Sequence, residues 1–386
     1  MSSSDWPAAP ALPSYRADIA RSTVSGLSSG AFMSVQLHLA HSATFCGAGI
    51  VAGGPYRCAE SFPGISFNAE DACVQNALFI CMNPLIPEAG PDAARLVALA
   101  RATAERGLID PVSHLADARL YIFTGSEDKV VDSSVVRTTR RFYEMLGVPP
   151  SHIRFVDDVP AGHAILTANA EDNPLSANQP PYINRWDDVR MQSWDILETL
   201  YGPLNPPALR PDGRLVRFDQ REFISDQARS SMSAYGYAYV PRSVEEGAEC
   251  RIHVALHGCK QGYNFVDCAN GRPDRANEPP YGNRYYTTTG YNEIADTNDI
   301  VVLYPQAEGF DNLVIQNPEG CWDWWGYSAT DVMQPDYYTK QAVQIEAIHR
   351  MVERLAGRSP AAQQATRARR IATRPAAVHD AEGEAA

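Results

Sequence analysis

The 386-residue sequence has no apolar run long enough to cross a membrane. A spanning helix takes roughly 18 or more such residues, and the longest candidates, residues 77–82 and 47–54, are short and broken by Gly or Pro. Positive charge is scarce: 33 Lys and Arg stand against 46 Asp and Glu, a net charge of −13. Phosphate contacts need a basic face, so nucleic acid is excluded as a partner, and an anionic membrane surface with it. The first six residues hold neither a basic stretch nor an apolar one, so no signal peptide is read, and the chain is expected to be intracellular or already processed. There is no internal repeat and no Cys-x-x-Cys pair of the kind that holds zinc.

What is present fits an ordinary soluble globular protein, with 45% hydrophobic and 20% charged residues. The length is ample for a sizeable core. Residues 1–18, rich in Pro, Ala and Ser, read as a loose leader, and residues 357–386, poor in apolar side chains, as a disordered tail. That leaves one catalytic domain over residues 19–356, expected to be a monomer. Eight cysteines fall in two sequence clusters, an even count that suits four disulfides and an oxidising, extracellular compartment; eight reduced thiols in a cytoplasmic protein are the alternative.

Short β-rich runs alternate with helical patterns. Strands are expected at 19–25, 46–52, 120–124, 153–156, 252–256 and 300–304, with an antiparallel pair at 214–218 and 235–240. Helices are expected at 31–41, with Phe32, Val35 and Leu39 on one face, and at 91–106, 133–146, 186–201, 291–296 and 338–355. Continuous apolar strands between helices imply an α/β fold with a mostly parallel sheet covered on both faces.

The strongest chemical signal is Gly26-Leu27-Ser28-Ser29-Gly30. It fits G-x-S-x-G and stands between an expected strand and an expected helix, the setting of a nucleophile elbow. A nucleophilic serine needs a base and a carboxylate to orient that base. His163 stands in a Gly-containing loop just after a strand, and His257, in the Gly-rich end of another, is its rival. Asp128 follows the strand at 120–124, with Glu127, Asp132, Asp157 and Asp158 as competitors. A loop after a parallel strand places its side chain on the same sheet edge as Ser28.

The order Ser28, Asp128, His163 is that of the α/β-hydrolases. Yet the nucleophile arrives only 28 residues into the chain, too early for the strands that normally precede it. The second half offers them: residues 252–256 run into His257-Gly258-Cys259-Lys260-Gln261, which is similar to an oxyanion turn. A circular permutation is therefore expected, with the N–H groups of Ser29 and Cys259 as oxyanion donors.

Four separated motifs complete the pattern: Gly26-Leu27-Ser28-Ser29-Gly30-Ala31-Phe32-Met33, Val51-Ala52-Gly53-Gly54-Pro55-Tyr56, the His257–Gln261 turn, and Cys321-Trp322-Asp323-Trp324-Trp325-Gly326. Together they resemble the poly(3-hydroxybutyrate) depolymerases, and more closely the circularly permuted, single-domain type. The resemblance runs over residues 19–356 and implies a serine esterase needing no metal or organic cofactor. It assigns catalysis to Ser28, Asp128 and His163, and the oxyanion hole to Ser29 and Cys259. The chain departs from secreted bacterial members in showing neither a signal peptide nor a separate substrate-binding domain. Trp322, Trp324 and Trp325 are expected to offer indole surface to a polyester or oligoester. By alternation, Trp322 and Trp324 would share one face and Trp325 the other. Tyr285 and Tyr286 are candidates to extend the cleft, and Cys58–Cys81 and Cys259–Cys321 are the pairings expected. Feruloyl or acetyl-xylan esters, intracellular 3-hydroxybutyrate oligomers, and a non-catalytic polymer-binding role are the alternatives.

Overall fold

The computed structural model describes residues 9–62, 69–187, 189–263, 268–269, 272–273, 283–311, 315–331 and 334–357. An eight-stranded sheet forms its centre. In chain order its strands are β1 (Ser22–Leu27), β2 (Phe45–Val51), β3 (Arg119–Phe123), β4 (Ile153–Val156), β5 (Arg214–Asp219), β6 (Tyr235–Val240), β7 (Arg251–Leu256) and β8 (Ile300–Tyr304). Across the sheet they run β4-β3-β2-β1-β7-β8-β6-β5. Every pairing from β4 to β8 is parallel, and β6 and β5 close the far edge antiparallel. The first four strands of the chain thus make one half of the sheet and the last four the other, meeting where β1 pairs with β7.

Strands β1, β6 and β8 are buried along their whole length, as strands covered on both faces must be. The polar residues of β1 have partners inside: Thr23 and Ser25 bond the two ring nitrogens of His253 on β7, and Ser25 also bonds the Tyr291 hydroxyl. The helix after β1, α1 (Ser29–Ala40), has all 12 residues buried. It has no polar face, contrary to the one-sided pattern expected from Phe32, Val35 and Leu39, because it lies in the interior. Most of its polar side chains find partners there: the Ser34 hydroxyl donates to the Gly30 carbonyl, Gln36 to the Asp323 carbonyl, and His38 Nδ1 lies 3.0 Å from the Tyr143 hydroxyl, while His38 Nε2 has no partner among the described residues.

Other differences have local causes. The helix expected from 186 begins only at Gln192, because Ile183–Arg185 is drawn into a short parallel pairing with Ile165–Thr167. The closing helix is Val343–Leu355 rather than 338–355. Residues 9–18, read from composition as loose, are tied down. The Tyr15 N–H donates to Leu355, that of Asp18 to Cys250, and Pro10 accepts from Asp219. Residues 1–8 and all of the expected tail beyond 357 lie outside the described residues. Cys58–Cys81 and Cys259–Cys321 are disulfides. Cys46, Cys73 and Cys250 are free thiols, so the four bridges expected from the even count are not all formed. Among the described residues no helix is long and apolar enough to cross a membrane.

Candidate active site

Ser28 sits between β1 and α1 with φ 57° and ψ −124°, a backbone conformation that non-glycine residues rarely adopt. The chain around it holds the strain. The Ser28 N–H donates to Val51 on β2 at 2.9 Å, and its carbonyl accepts from Ala31 and Phe32 at 2.8 and 3.0 Å. The two glycines of the pentapeptide are required by close approach. A Cβ on Gly26 would lie 2.3 Å from the Gly30 carbonyl carbon, and one on Gly30 would lie 2.4 Å from the carbonyl oxygens of Leu256 and His257. Ser29 is the first residue of α1, so its N–H stands outside the intrahelical ladder at the positive end of the helix.

Asp128 and His163 come together beyond the carboxyl ends of β3 and β4. Asp128 Oδ2 lies 2.8 Å from His163 Nδ1, with the two side chains only 1% and 3% exposed. A carboxylate oxygen can only accept, so Nδ1 carries the proton and Nε2 keeps a free lone pair. The other carboxylate oxygen accepts the N–H groups of Val130 and Val131 at 2.8 and 3.0 Å, which fixes its rotamer. The loops that carry Asp128 and His163 touch: a Cβ on Gly125 would lie 2.0 Å from the Ala161 carbonyl oxygen.

The competing residues have other work. His257 Nδ1 donates to the Gly258 carbonyl at 2.7 Å, and Nε2 accepts the Ala307 N–H at 3.1 Å. Both ring nitrogens are engaged, and burial pulls its pKa down to about 4. It shapes the turn it belongs to. Asp132 caps the helix Ser133–Met145, Asp157 pairs with Arg137 at 3.2 Å, and Glu127 is exposed. Asp158 faces a separate cavity behind β4.

The His257–Gln261 turn follows β7 and so arrives beside Ser28. A Cβ on Gly258 would lie 3.3 Å from the Ser28 Cβ. The turn is pinned by the Cys259–Cys321 disulfide and by Gln261 Oε1, which accepts the Gly258 N–H at 2.6 Å. Ser28, Ser29 and Cys259 open into a cavity of about 660 Å³ whose walls include Phe32, Leu78, Trp324, Trp325 and Tyr327.

The three tryptophans do not share faces as alternation suggests. Trp322 is fully buried against His257, away from that cavity, whereas Trp324 and Trp325 both line it. The reason is that the segment is a turn built round Asp323, not a strand. One carboxylate oxygen accepts the N–H groups of Trp325, Gly326 and Tyr327, and the other accepts the N–H and hydroxyl of Ser328. Burial raises the Asp323 pKa, and these donors oppose that shift. Trp324 stacks on Phe32 with ring centroids 4.0 Å apart. Tyr285 and Tyr286 are buried in the core and extend nothing. Asp323, the Cys73-to-Met82 wall of the cavity, and the amide of Asn178 behind the acid–base pair were not singled out in the sequence. An acidic residue between two tryptophans was the one signal available, and it points to Asp323 alone.

No protein-family model matches the chain. It is 38% identical over 350 residues to a poly(3-hydroxybutyrate) depolymerase of Delftia acidovorans, the match taking in 89% of this chain and 61% of that protein. It is 31% identical over 341 residues to a polyhydroxybutyrate depolymerase of Talaromyces funiculosus, covering 85% of this chain and 88% of that one. Two solved structures are similar at 29% identity, each covering 90% of this chain and 99% of theirs. One is a serine-to-alanine variant of a PHB depolymerase complexed with an R3HB trimer (TM-score 0.72). The other is the PHB depolymerase from Penicillium funiculosum (TM-score 0.71).

Proposed function

Since the chain belongs to the poly(3-hydroxybutyrate) depolymerase family, we propose that it is a serine esterase that cleaves the ester bonds of that polymer and its oligomers. The observation that carries this reading is the oriented Asp128–His163 pair on the same sheet edge as the strained Ser28 elbow. In this reading His163 Nε2 takes the proton of Ser28 as Oγ attacks the ester carbonyl. The N–H groups of Ser29 and Cys259 hold the oxyanion, each worth on the order of 3 kcal/mol of transition-state stabilisation. Asp128 keeps the imidazole in its Nδ1–H tautomer and stabilises the cation. The leaving hydroxyl receives the proton, and water activated by His163 releases the 3-hydroxyacyl group.

The substrate class is supported by the apolar wall of Phe32, Leu78, Trp324 and Trp325, which suits a methyl-bearing polyester. Phe62, Val74, Leu78, Phe79, Leu85 and Ile86 are exposed on the segment that forms this side of the cavity, an apolar rim suited to a solid surface. Two disulfides support an oxidising, extracellular setting. Residues 19–356 act as one catalytic domain in this account. The sheet order supports a circular permutation, because β7 and β8 lie where strands that precede the elbow would stand. The test is turbidity loss of a poly(3-hydroxybutyrate) suspension with wild type and Ser28→Ala in parallel. Clearance by the wild type alone is expected. Ser28-dependent hydrolysis of a soluble short-chain ester without clearance would move the substrate to oligomers or wall esters.

A further inference from the structure

Behind the acid–base pair runs the segment 173–185, whose contacts converge on the groups that must stay aligned. Asn178 stands at its centre. Its Oδ1 accepts the N–H of His163 at 2.9 Å and that of Lys129 at 3.0 Å. Its Nδ2 donates to the carbonyls of Glu127 at 3.0 Å and Ser176 at 3.1 Å. Every bond the amide can make is therefore made, and its orientation is unambiguous, with the oxygen between two donors and the nitrogen between two acceptors. Lys129 and Glu127 are the residues on either side of Asp128. One side chain thus grips the acid loop on both flanks of the acid and grips the backbone of the base itself.

The rest of the segment presses the same way. A Cβ on Gly162, next to His163, would lie 2.1 Å from the Ala177 carbonyl oxygen. The Tyr182 ring stands edge-on to the His163 imidazole at 5.7 Å. Asn184 Nδ2 donates to the carbonyls of Leu175 and Ala177, both at 2.8 Å, and so closes the segment on itself. Three residues beyond Asn178, the Pro181 carbonyl accepts from Gln261 Nε2 at 2.7 Å, while Gln261 Oε1 holds the Gly258 N–H at 2.6 Å. The oxyanion turn and the acid–base pair come from opposite halves of the sheet, and this segment is bonded to both.

We propose that Asn178 is a positioning residue for the Asp128–His163 pair, and that Gln261 ties the same segment to the oxyanion turn so that proton transfer and oxyanion binding stay in register. The inference rests on the esterase reading above. A side chain that only joined two surface loops would affect stability and leave turnover per folded molecule alone. A positioning residue affects kcat, because small misplacement of a base is costly, while ground-state binding in the indole-lined cavity is untouched.

The experiment measures kcat and KM on a p-nitrophenyl short-chain ester for the full chain. Variants are Asn178→Ala, Asn178→Asp and Gln261→Glu, each normalised to sites titrated by a serine-directed phosphonate, with Ser28→Ala as the blank. Asn178→Ala is expected to lose on the order of 100-fold in kcat with KM within about threefold. Asn178→Asp keeps both accepted N–H bonds but sets a carboxylate oxygen against the Glu127 and Ser176 carbonyls, so its kcat is expected to fall as well, with KM within about threefold. Gln261→Glu keeps the bond to Gly258, loses the one to Pro181, and is expected to lower kcat without raising KM. Wild-type kcat in Asn178→Ala or a loss confined to KM would overturn the inference while leaving the esterase reading standing. Should Asn178→Ala yield no soluble protein, wild-type kcat in both remaining variants overturns it, and lowered kcat in both upholds it. A wild type without Ser28-dependent turnover removes the esterase reading and the inference together.

Discussion

Cys259 and Cys321 are joined by a disulfide that bridges 62 residues and ties the His257–Gln261 turn to the turn that carries Trp324 and Trp325. On the Cys321 side, Asn317 donates to the Cys321 carbonyl and accepts its N–H. Replacing both cysteines by alanine should cost about 4 kcal/mol of stability by the chain-entropy argument. It should also lower kcat on a soluble ester by up to about 100-fold, since the Cys259 donor loses its anchor. Denaturant midpoints and kcat on the same samples check both. Unchanged turnover would detach Cys259 from the oxyanion hole.

The tryptophans separate core from cleft. Trp322→Ala should destabilise the fold by about 3–5 kcal/mol, as a fully buried ring does. Trp325→Ala, at the partly exposed wall of the cavity, should leave the unfolding free energy within about 1 kcal/mol of wild type and slow polymer clearance. The reverse pattern would place the wrong indole in the cleft.

A side chain at Gly258 would press on its neighbours in the His257–Gln261 turn and at Ser28. A Cβ there would lie 3.0 Å from Gln261 Oε1, 3.2 Å from the Leu27 carbonyl and 3.3 Å from the Ser28 Cβ. Gly258→Ala should therefore reduce kcat by on the order of 100-fold with little change in KM. Wild-type kcat in a folded variant would show that the Cys259 N–H does not face the reacting carbonyl.

Ser28, Asp128 and His163 could be singled out as candidates because their signals are local. A glycine-flanked serine between a strand and a helix, and an acidic loop and a histidine loop after parallel strands, need no tertiary information. Asp128 and His163, each read as standing in a loop after a strand, are paired side chain to side chain. The tryptophan alternation failed because it presumed a strand, while Asp323 gathers the segment into a turn by hydrogen bonds that sequence periodicity does not encode. The one-sided pattern of α1 failed because a helix buried on every side carries no amphipathic signature. Asn178 was invisible for a related reason: its partners lie as far as 51 positions away in sequence.

His253 gives a pH prediction with a definite sign. Burial lowers its pKa from 6.5 to about 3, so it stays neutral in the fold while the unfolded chain takes up a proton below pH 6.5. Its contribution is fully present above that pH and is lost as pH falls toward 3, by about 1.4 kcal/mol per pH unit. His253→Asn should therefore show an unfolding free energy that depends less steeply on pH between 6 and 4, by about one proton. Guanidinium titrations at several pH values read this directly, and parallel slopes would contradict it.

The central claim is that Ser28 is the nucleophile served by His163. The most direct measurement is covalent labelling with an activated phosphonate ester, followed by intact mass and peptide mapping alongside residual turnover. The account predicts one adduct per chain, on Ser28, with esterase activity lost in proportion and labelling greatly slowed in His163→Gln. An adduct on another residue, or full activity in the labelled protein, would contradict it.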